Sequence, residues 1–413
     1  RVPDPPLKIC LASSEFAPFA KTGGLADVCA ALSHTLHRAG HEVVALLPRY
    51  ARLEDAGLDI QPVAGMQDLS LNFGDVEQHY AIDSAVLPES GLRLYLLRCP
   101  SFYARDSLYT NDADEALRFV LLSRAVLALC QRLGFAPDIM HCHDWQTALV
   151  PLYLKSVYAW DRLFHRTRSV LTIHNIGYQG MFPTDVLPRL GLYGADHHLH
   201  QDDLKEGVIN FLKTGVLYAD LITTVSPTYA REILGDDFGM GLNGLLRERL
   251  GTVKGILNGV DYEVWDPATD PLIPANYSPD DLDGKATCKA VLQRETGLAE
   301  EPDRPLFGIV SRLAGQKGLE LAQAVRPGLL ERRDCAVAVL GSGDKALETA
   351  FVEASRQYEG QVGVVIGYDE PLSHLMQGGS DAILIPSRFE PCGLTQLYGL
   401  RYGTIPVVAR TGG

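Results

Sequence analysis

No run of apolar residues in this 413-residue chain approaches the length a helix needs to cross a bilayer, so no membrane span is expected. The short start, Arg1-Val2-Pro3-Asp4-Pro5-Pro6, holds no secretory apolar core. Positive charge is scarce. The 37 Lys and Arg against 51 Asp and Glu leave a net charge of −14, which argues against nucleic acid or an anionic membrane as a main partner. It does not exclude an anionic substrate, because a few cations in a cleft reverse the local potential. Paired cysteines are missing too. Cys10, Cys29, Cys99, Cys130, Cys142, Cys288, Cys335 and Cys392 are scattered without a CxxC, several in apolar stretches, and read as reduced thiols of a cytosol-like compartment. Short-period repeats and low-complexity segments are absent. What remains is an ordinary globular composition, 46% hydrophobic and 21% charged, in a chain long enough for two cores.

The dominant pattern alternates short β-branched runs with longer amphipathic ones. Lys8-Ile9-Cys10-Leu11-Ala12-Ser13 reads as a buried strand, and Leu25, Val28, Cys29, Leu32 and Leu36 then recur at helical spacing. Further strands are predicted over 43–47, 92–97, 138–142, 169–174, 221–225 and 253–257, with helices over 113–133 and 204–218. Around 261–304 the pattern breaks: Pro267, Pro271, Pro274, Pro279 and Pro302 accompany many aspartates, as in an interdomain crossover carrying a short helix. Alternation resumes with strands predicted over 306–311, 335–340, 362–366, 382–386 and 405–409 and helices near 319–325 and 345–358. The expected fold is therefore α/β, with two Rossmann-like doubly wound domains facing across a cleft. Residues 1–260 form the first, 261–304 the crossover and 305–413 the second. Ligands are expected at the carboxyl ends of the strands. The chain stops at Thr411-Gly412-Gly413 straight after a strand, so the second domain looks cut short.

Lys21-Thr22-Gly23-Gly24-Leu25-Ala26-Asp27-Val28 lies between the first strand and its helix. Glycines there let backbone approach a ligand, and a helix N-terminus presents N–H groups to an anion, with Lys21 adding a full charge. The same residues suit a tight strand-to-helix turn with a solvated lysine. The spacing is not that of a Walker loop.

This segment resembles the signature of bacterial glycogen synthases and plant starch synthases. It is followed in that family's order by His141-Cys142-His143-Asp144-Trp145, Thr172-Ile173-His174-Asn175, Asn258-Gly259-Val260-Asp261, the run Ser311-Arg312-Leu313-Ala314-Gly315-Gln316-Lys317-Gly318, and Arg388-Phe389-Glu390-Pro391-Cys392-Gly393-Leu394-Thr395-Gln396. Six ordered motifs span nearly the whole chain. The resemblance implies the glycosyltransferase-B (GT-B) fold and a retaining glucosyltransferase that moves glucose from ADP-glucose to the non-reducing end of an α-1,4-glucan such as glycogen, starch or a maltooligosaccharide. It implies no metal and no cofactor beyond the donor substrate. A bacterial cytoplasm is expected, with a plastid stroma as the alternative.

Arg312 and Lys317 suit the diphosphate leaving group, whose negative charge grows as the glycosidic bond breaks. By position alone they are two cations in an exposed loop; the resemblance gives them the diphosphate. Gly393, Leu394 and Thr395 open a helix whose amides can bind phosphate oxygens. Glu390 can accept from sugar hydroxyls, or be a loop or capping carboxylate. Many related glycosyltransferases carry a second glutamate eight positions later, where this chain has Tyr398, as bacterial glycogen synthases do. His174 ends an apolar strand, where a lone histidine is usually structural; the resemblance places it beside the transferred sugar. Lys21, His174, Arg312, Lys317 and Glu390 are thus the expected catalytic set. Gly23, Gly24, Asn258, Tyr368, Cys392, Gly393, Leu394 and Thr395 are expected on the nucleotide sugar, with Tyr368 at the adenine, and Asp144 on the acceptor. His141 and His143 form an H-x-H without further ligands at metal spacing. The competing readings are another GT-B sugar-nucleotide enzyme, such as a sucrose-phosphate synthase-like transferase or an epimerase, and a catalytically idle glucan-binding homologue.

Overall fold

The computed structural model describes residues 5–331 and 335–413. The chain divides into two compact units, Arg1–Ile256 and Leu257–Gly413. Among the described residues, no helix is long and apolar enough to cross a membrane.

The first unit is built on a ten-stranded sheet. Its parallel part runs Val253–Gly255, Leu221–Thr224, Arg168–Ile173, Ile139–His143, Lys8–Ala12, Glu42–Pro48, Arg93–Arg98. Its central strands are covered on both faces, which is why they read as apolar runs: every residue from Ile9 to Ala12 and from Val43 to Pro48 is buried. Strand order reverses beside Lys8–Ala12. The chain steps outward to Glu42–Pro48 and Arg93–Arg98, then returns to the other side with Ile139–His143. Such a reversal leaves a crevice at the carboxyl ends of the two strands that flank it. The helix Glu115–Leu133, buried along most of its length, ends at Gly134 with φ 62° and its N–H on Cys130 and Gln131 carbonyls.

An antiparallel margin lies outside the predicted pattern. Val76–Val86 pairs with Arg93–Arg98, Gln61–Pro62 and Leu69–Phe73. Its signal was present: Leu69, Leu71 and Phe73 alternate, and Gly74-Asp75 is a two-residue hairpin loop joining Phe73 to Val76. The single helix expected over 204–218 is also different. The chain forms a short helix Gln201–Lys205, turns at Gly207 (φ 79°), pairs Val208–Asn210 with Met181–Pro183, and restarts as Phe211–Tyr218. The Asn210 side chain accepts from Lys213 N and caps the restart. Helical spacing of apolar residues continued across this break and hid it.

The second unit has a five-stranded parallel sheet in the order Val362–Ile366, Ala336–Gly341, Leu306–Val310, Ala382–Ile385, Ile405–Val408. Here order reverses beside Leu306–Val310. The segment 261–304, expected as a crossover, packs into this unit: Trp265, Ile273, Tyr277, Cys288 and Leu292 belong to one apolar cluster with Leu306, Met376 and Tyr402. The Trp265 ring is sandwiched between His374 (3.8 Å between centroids, 12°) and Tyr398 (3.9 Å, 5°). Asp270, 2% exposed, accepts from His374 Nδ1 at 2.8 Å and the Tyr402 hydroxyl at 2.6 Å. Burial alone would lower the His374 pKa, but hydrogen bonds to Asp270 and Glu370 override it and raise it. Removing one partner of such a buried pair strands the other. Asp270→Asn should therefore destabilise the second unit by about 3 kcal/mol in denaturant unfolding; an unchanged midpoint would show that the pair contributes nothing.

Candidate active site

Each unit gathers part of the expected site at its own strand reversal. In the first, the loop 13–23 leaves Lys8–Ala12 and enters the helix Gly24–Arg38. Lys21 Nζ stands 3.0 Å from Asp27 Oδ1, one turn into that helix. The amides at the start of the helix are not all open to a ligand. Thr22 N donates to Glu15 Oε2 at 2.8 Å, and Gly23 N also donates to the Glu15 carboxylate. The protein thus fills part of its own helix N-terminus with an internal carboxylate. Glu15 was not among the residues expected from sequence. A glutamate inside Ser13-Ser14-Glu15-Phe16, directly after a buried strand, was the available signal.

Asp144 and His174 come together at the ends of neighbouring strands, Ile139–His143 and Arg168–Ile173. Asp144 adopts φ 52°, a conformation few non-glycine residues hold without compensation. The compensation is visible. Its Oδ1 accepts from His174 N at 2.6 Å and Asn175 N at 3.4 Å, while its own N–H donates to Thr172 O. Burial pushes the Asp144 carboxyl up to about 7, against the pull of those two amides, and the nearby Glu15 charge adds to the rise. His174 Nε2 is 3.0 Å from His143 Nδ1, and the His141 ring stacks on His143 with centroids 4.2 Å apart. Burial lowers His174 to about 3 and His141 to about 4, so these rings are neutral at physiological pH. His174 can offer a neutral hydrogen bond or its backbone, not a positive charge. Among the described residues, no group of three or more His, Cys, Asp or Glu side chains is placed to hold a metal ion.

In the second unit, the loops after Leu306–Val310 and Ala382–Ile385 meet at the reversal. Lys317 Nζ donates to Glu390 Oε2 at 2.6 Å, and Ser387 Oγ donates to the same oxygen at 2.8 Å. Arg388 N donates to Gln316 O and Gln316 Nε2 to Phe389 O. A recess is lined by Ser311, Lys317, Ser387, Glu390, Gly393 and Thr395. Gly393, at φ 78°, opens the helix Leu394–Arg401 there, with Leu394 and Thr395 as its first residues. Arg312 is exposed at the other end of the same loop, five residues before Lys317. Asn258 hydrogen-bonds the Cys392 thiol, whose pKa burial pushes up to about 11. Cys392 is therefore a neutral packing and hydrogen-bonding group here, not a thiolate. Tyr368 is 71% exposed, on the loop after Val362–Ile366. Gly367 N, beside it, donates to Gly341 O, so its loop abuts the Gly341-Ser342-Gly343 turn. Tyr398 points away from the recess, into the stack on Trp265.

Glycine is required at two closures of this half-site. Gly318 has φ 61°, and a Cβ there would lie 2.0 Å from Pro386 O; Gly412 has φ 68°, and a Cβ would lie 1.4 Å from Glu390 O. Neither obstacle is a flexible side chain. The cation loop therefore lies directly on the 386–390 backbone.

Two doubly wound units, each with polar and charged residues collected at a strand reversal, define a glycosyltransferase of the GT-B class. Residues 8–248 match the family described as the starch synthase catalytic domain. The chain is 48% identical over 420 residues to the glycogen synthase of Roseobacter denitrificans, covering 98% of this chain and 84% of that one. It is 45% identical over 412 residues to the glycogen synthase of Anaeromyxobacter dehalogenans strain 2CP-C, with the same coverage of each chain. The solved catalytic domain of starch synthase IV from Arabidopsis thaliana, bound to ADP and acarbose, superposes with a TM-score of 0.90 at 35% identity, covering 99% of this chain and 84% of that chain. A sucrose-phosphate synthase from Thermosynechococcus elongatus shares the fold alone, at TM-score 0.56 and 16% identity over 98% of this chain and 82% of its own. The chain belongs to the glycogen synthase and starch synthase family.

Two outcomes follow from the geometry. Gly318→Ala should cost about 2 kcal/mol or more through the left-handed backbone and the contact with Pro386, read by denaturant unfolding; a neutral effect would show that the two loops part easily. Asp144 tests the first unit. Its folded pKa is raised, so its contribution to stability is present below the unfolded carboxyl value and lost as pH rises through about 7. The melting temperature of the native protein should fall relative to Asp144→Asn as pH is raised across that window. A constant difference would contradict the assignment.

Proposed function

We propose that the protein transfers glucose from ADP-glucose to the non-reducing end of an α-1,4-glucan, with the anomeric configuration retained. The observation that carries this reading is the Lys317–Glu390 pair at the second unit's strand reversal, beside the N-terminus of the helix Leu394–Arg401. A donor brings two groups that suit these partners separately. Its diphosphate is a stronger claimant for the Lys317 ammonium than a carboxylate already shared with Ser387, and its glucose hydroxyls can donate to Glu390 once the ammonium is engaged elsewhere. Donor binding therefore exchanges one internal ion pair for two contacts to substrate.

In this reading the bond between the anomeric carbon and the phosphate oxygen breaks first, and negative charge collects on the departing ADP. Arg312, Lys317 and Lys21 stabilise that charge, and the amides of Gly393, Leu394 and Thr395 donate to phosphate oxygens. The acceptor 4-hydroxyl adds to the same face of the sugar, its proton passing to the departing phosphate oxygen. His174, neutral, contributes a hydrogen bond or its carbonyl beside the glucose. Asp144, holding the His174 and Asn175 amides, shapes the acceptor side. Gly23, Gly24, Asn258 and Cys392 line the donor, and Tyr368, exposed beside the Gly341 turn, meets the adenine. The residues supply the charge stabilisation themselves, so no metal is assigned. Relatives from bacteria and eight buried cysteines, none of them in a disulfide among the described residues, favour a bacterial cytoplasm with glycogen as the product.

Lys317→Ala should lower turnover on the order of 100-fold or more while circular dichroism stays native. Glu390→Gln should also lose turnover but, by releasing Lys317, bind ADP several-fold more tightly in calorimetry. Near-normal turnover of Lys317→Ala, or equal use of ADP-glucose and UDP-glucose, would overturn the respective assignment.

A further inference from the structure

We propose that Glu15 is a positioning residue that fixes where the Lys21 ammonium stands; the inference rests on the reading of Lys21 as a leaving-group cation. Glu15 is 3% exposed, three residues beyond the strand Lys8–Ala12. A carboxylate so buried is tolerated only when its oxygens are fully engaged. Four donors engage it. Oε1 accepts from the Thr22 hydroxyl at 2.6 Å and the Tyr109 hydroxyl at 2.7 Å, Oε2 accepts from Thr22 N at 2.8 Å, and Gly23 N supplies the fourth. Three of the four come from the two residues that directly follow Lys21.

The frame around this carboxylate is fixed on its other sides. Phe16 and Ala20 exchange backbone hydrogen bonds at 2.9 Å in both directions and close the base of the loop. Tyr109 also contacts Ser14 Oγ at 2.8 Å, and its own segment is pinned by Thr110 Oγ1 on Glu115 Oε2 at 2.9 Å and by Arg105 on Asp112 at 3.0 Å. With residues 16–20 and 22–23 both held, the backbone at Lys21 has one course. Its side chain then has only its own torsions left, and these bring it to Asp27. Gly23 would otherwise allow the loop many courses, at an entropic cost on each binding event.

A residue that only stabilised the fold would lower activity by the same factor whether or not Lys21 was present. A residue that acts through Lys21 would not. The test is a double-mutant cycle on the full chain, with Glu15→Ala, Glu15→Gln and Thr22→Val each made alone and with Lys21→Ala. The readouts are melting temperature, kcat, and KM for ADP-glucose and for glucan. Glu15→Ala should lower kcat/KM for ADP-glucose on the order of 100-fold, with the glucan KM within about twofold. Glu15→Gln, which still accepts from Thr22 N and can donate to both hydroxyls, should recover about tenfold of that loss. In the Lys21→Ala background, each change should cost less than about threefold. If Glu15→Ala does not fold, Glu15→Gln and Thr22→Val carry the same cycle. Equal losses in both backgrounds, or full activity of Glu15→Gln and Thr22→Val alike, would overturn the inference while leaving the Lys21 role intact. Near-normal activity of Lys21→Ala alone would remove that role, and this inference with it.

Discussion

Lys317 and Glu390 lie 73 residues apart in sequence, and only the reversal of strand order beside Leu306–Val310 brings them to 2.6 Å. The chain lays two strands to one side of Leu306–Val310 before returning to the other with Ala382–Ile385. The loops leaving those two central strands therefore end at the same crevice. The rest of the second half-site follows from this meeting. Gly318 must let the cation loop rest on the backbone at Pro386, and the turn at Gly393 then opens its helix toward Lys317.

The first unit solves a different problem with the same topology. Its reversal collects buried carboxylates, Glu15 and Asp144, rather than an exposed cation loop. Each is held by backbone amides from a segment that carries a residue of the proposed site: Thr22 and Gly23 after Lys21 for Glu15, His174 itself for Asp144. Burial in a low-dielectric setting makes such bonds costly to break and keeps the neighbouring imidazoles neutral. This half thus presents neutral imidazoles and hydrogen-bonded carboxyl groups rather than a cluster of cations.

Trp265 links the second unit's sheet to the segment that precedes it. Its stack between His374 and Tyr398 explains why the segment 261–304, rich in proline and aspartate, is nonetheless part of a core. Composition pointed to an irregular connection because the aspartates look solvated in sequence. Asp270 instead sits buried against His374 and Tyr402, partners more than 100 residues away. Tyr398 is explained by the same stack: at this position the side chain serves packing and is not available to the recess.

Local patterning determined the alternation of strands and helices, because strands buried on both faces must be apolar and their covering helices amphipathic. The six ordered motifs carried the resemblance to the family, and each lies at or just beyond the carboxyl end of a strand. The break at Gly207 stayed hidden because helical spacing ran straight across it, and the antiparallel margin went unpredicted although a short alternating run and the Gly74-Asp75 hairpin loop signalled it. Pairings across long separations were decided by tertiary structure alone: Lys317 with Glu390, Asp144 with the His174 amide, Glu15 with Tyr109. The physical reason is that a charge or donor names the kind of partner it needs but not which one. Strand order and burial make that choice, because they decide which loops share a crevice and which polar groups are cut off from water.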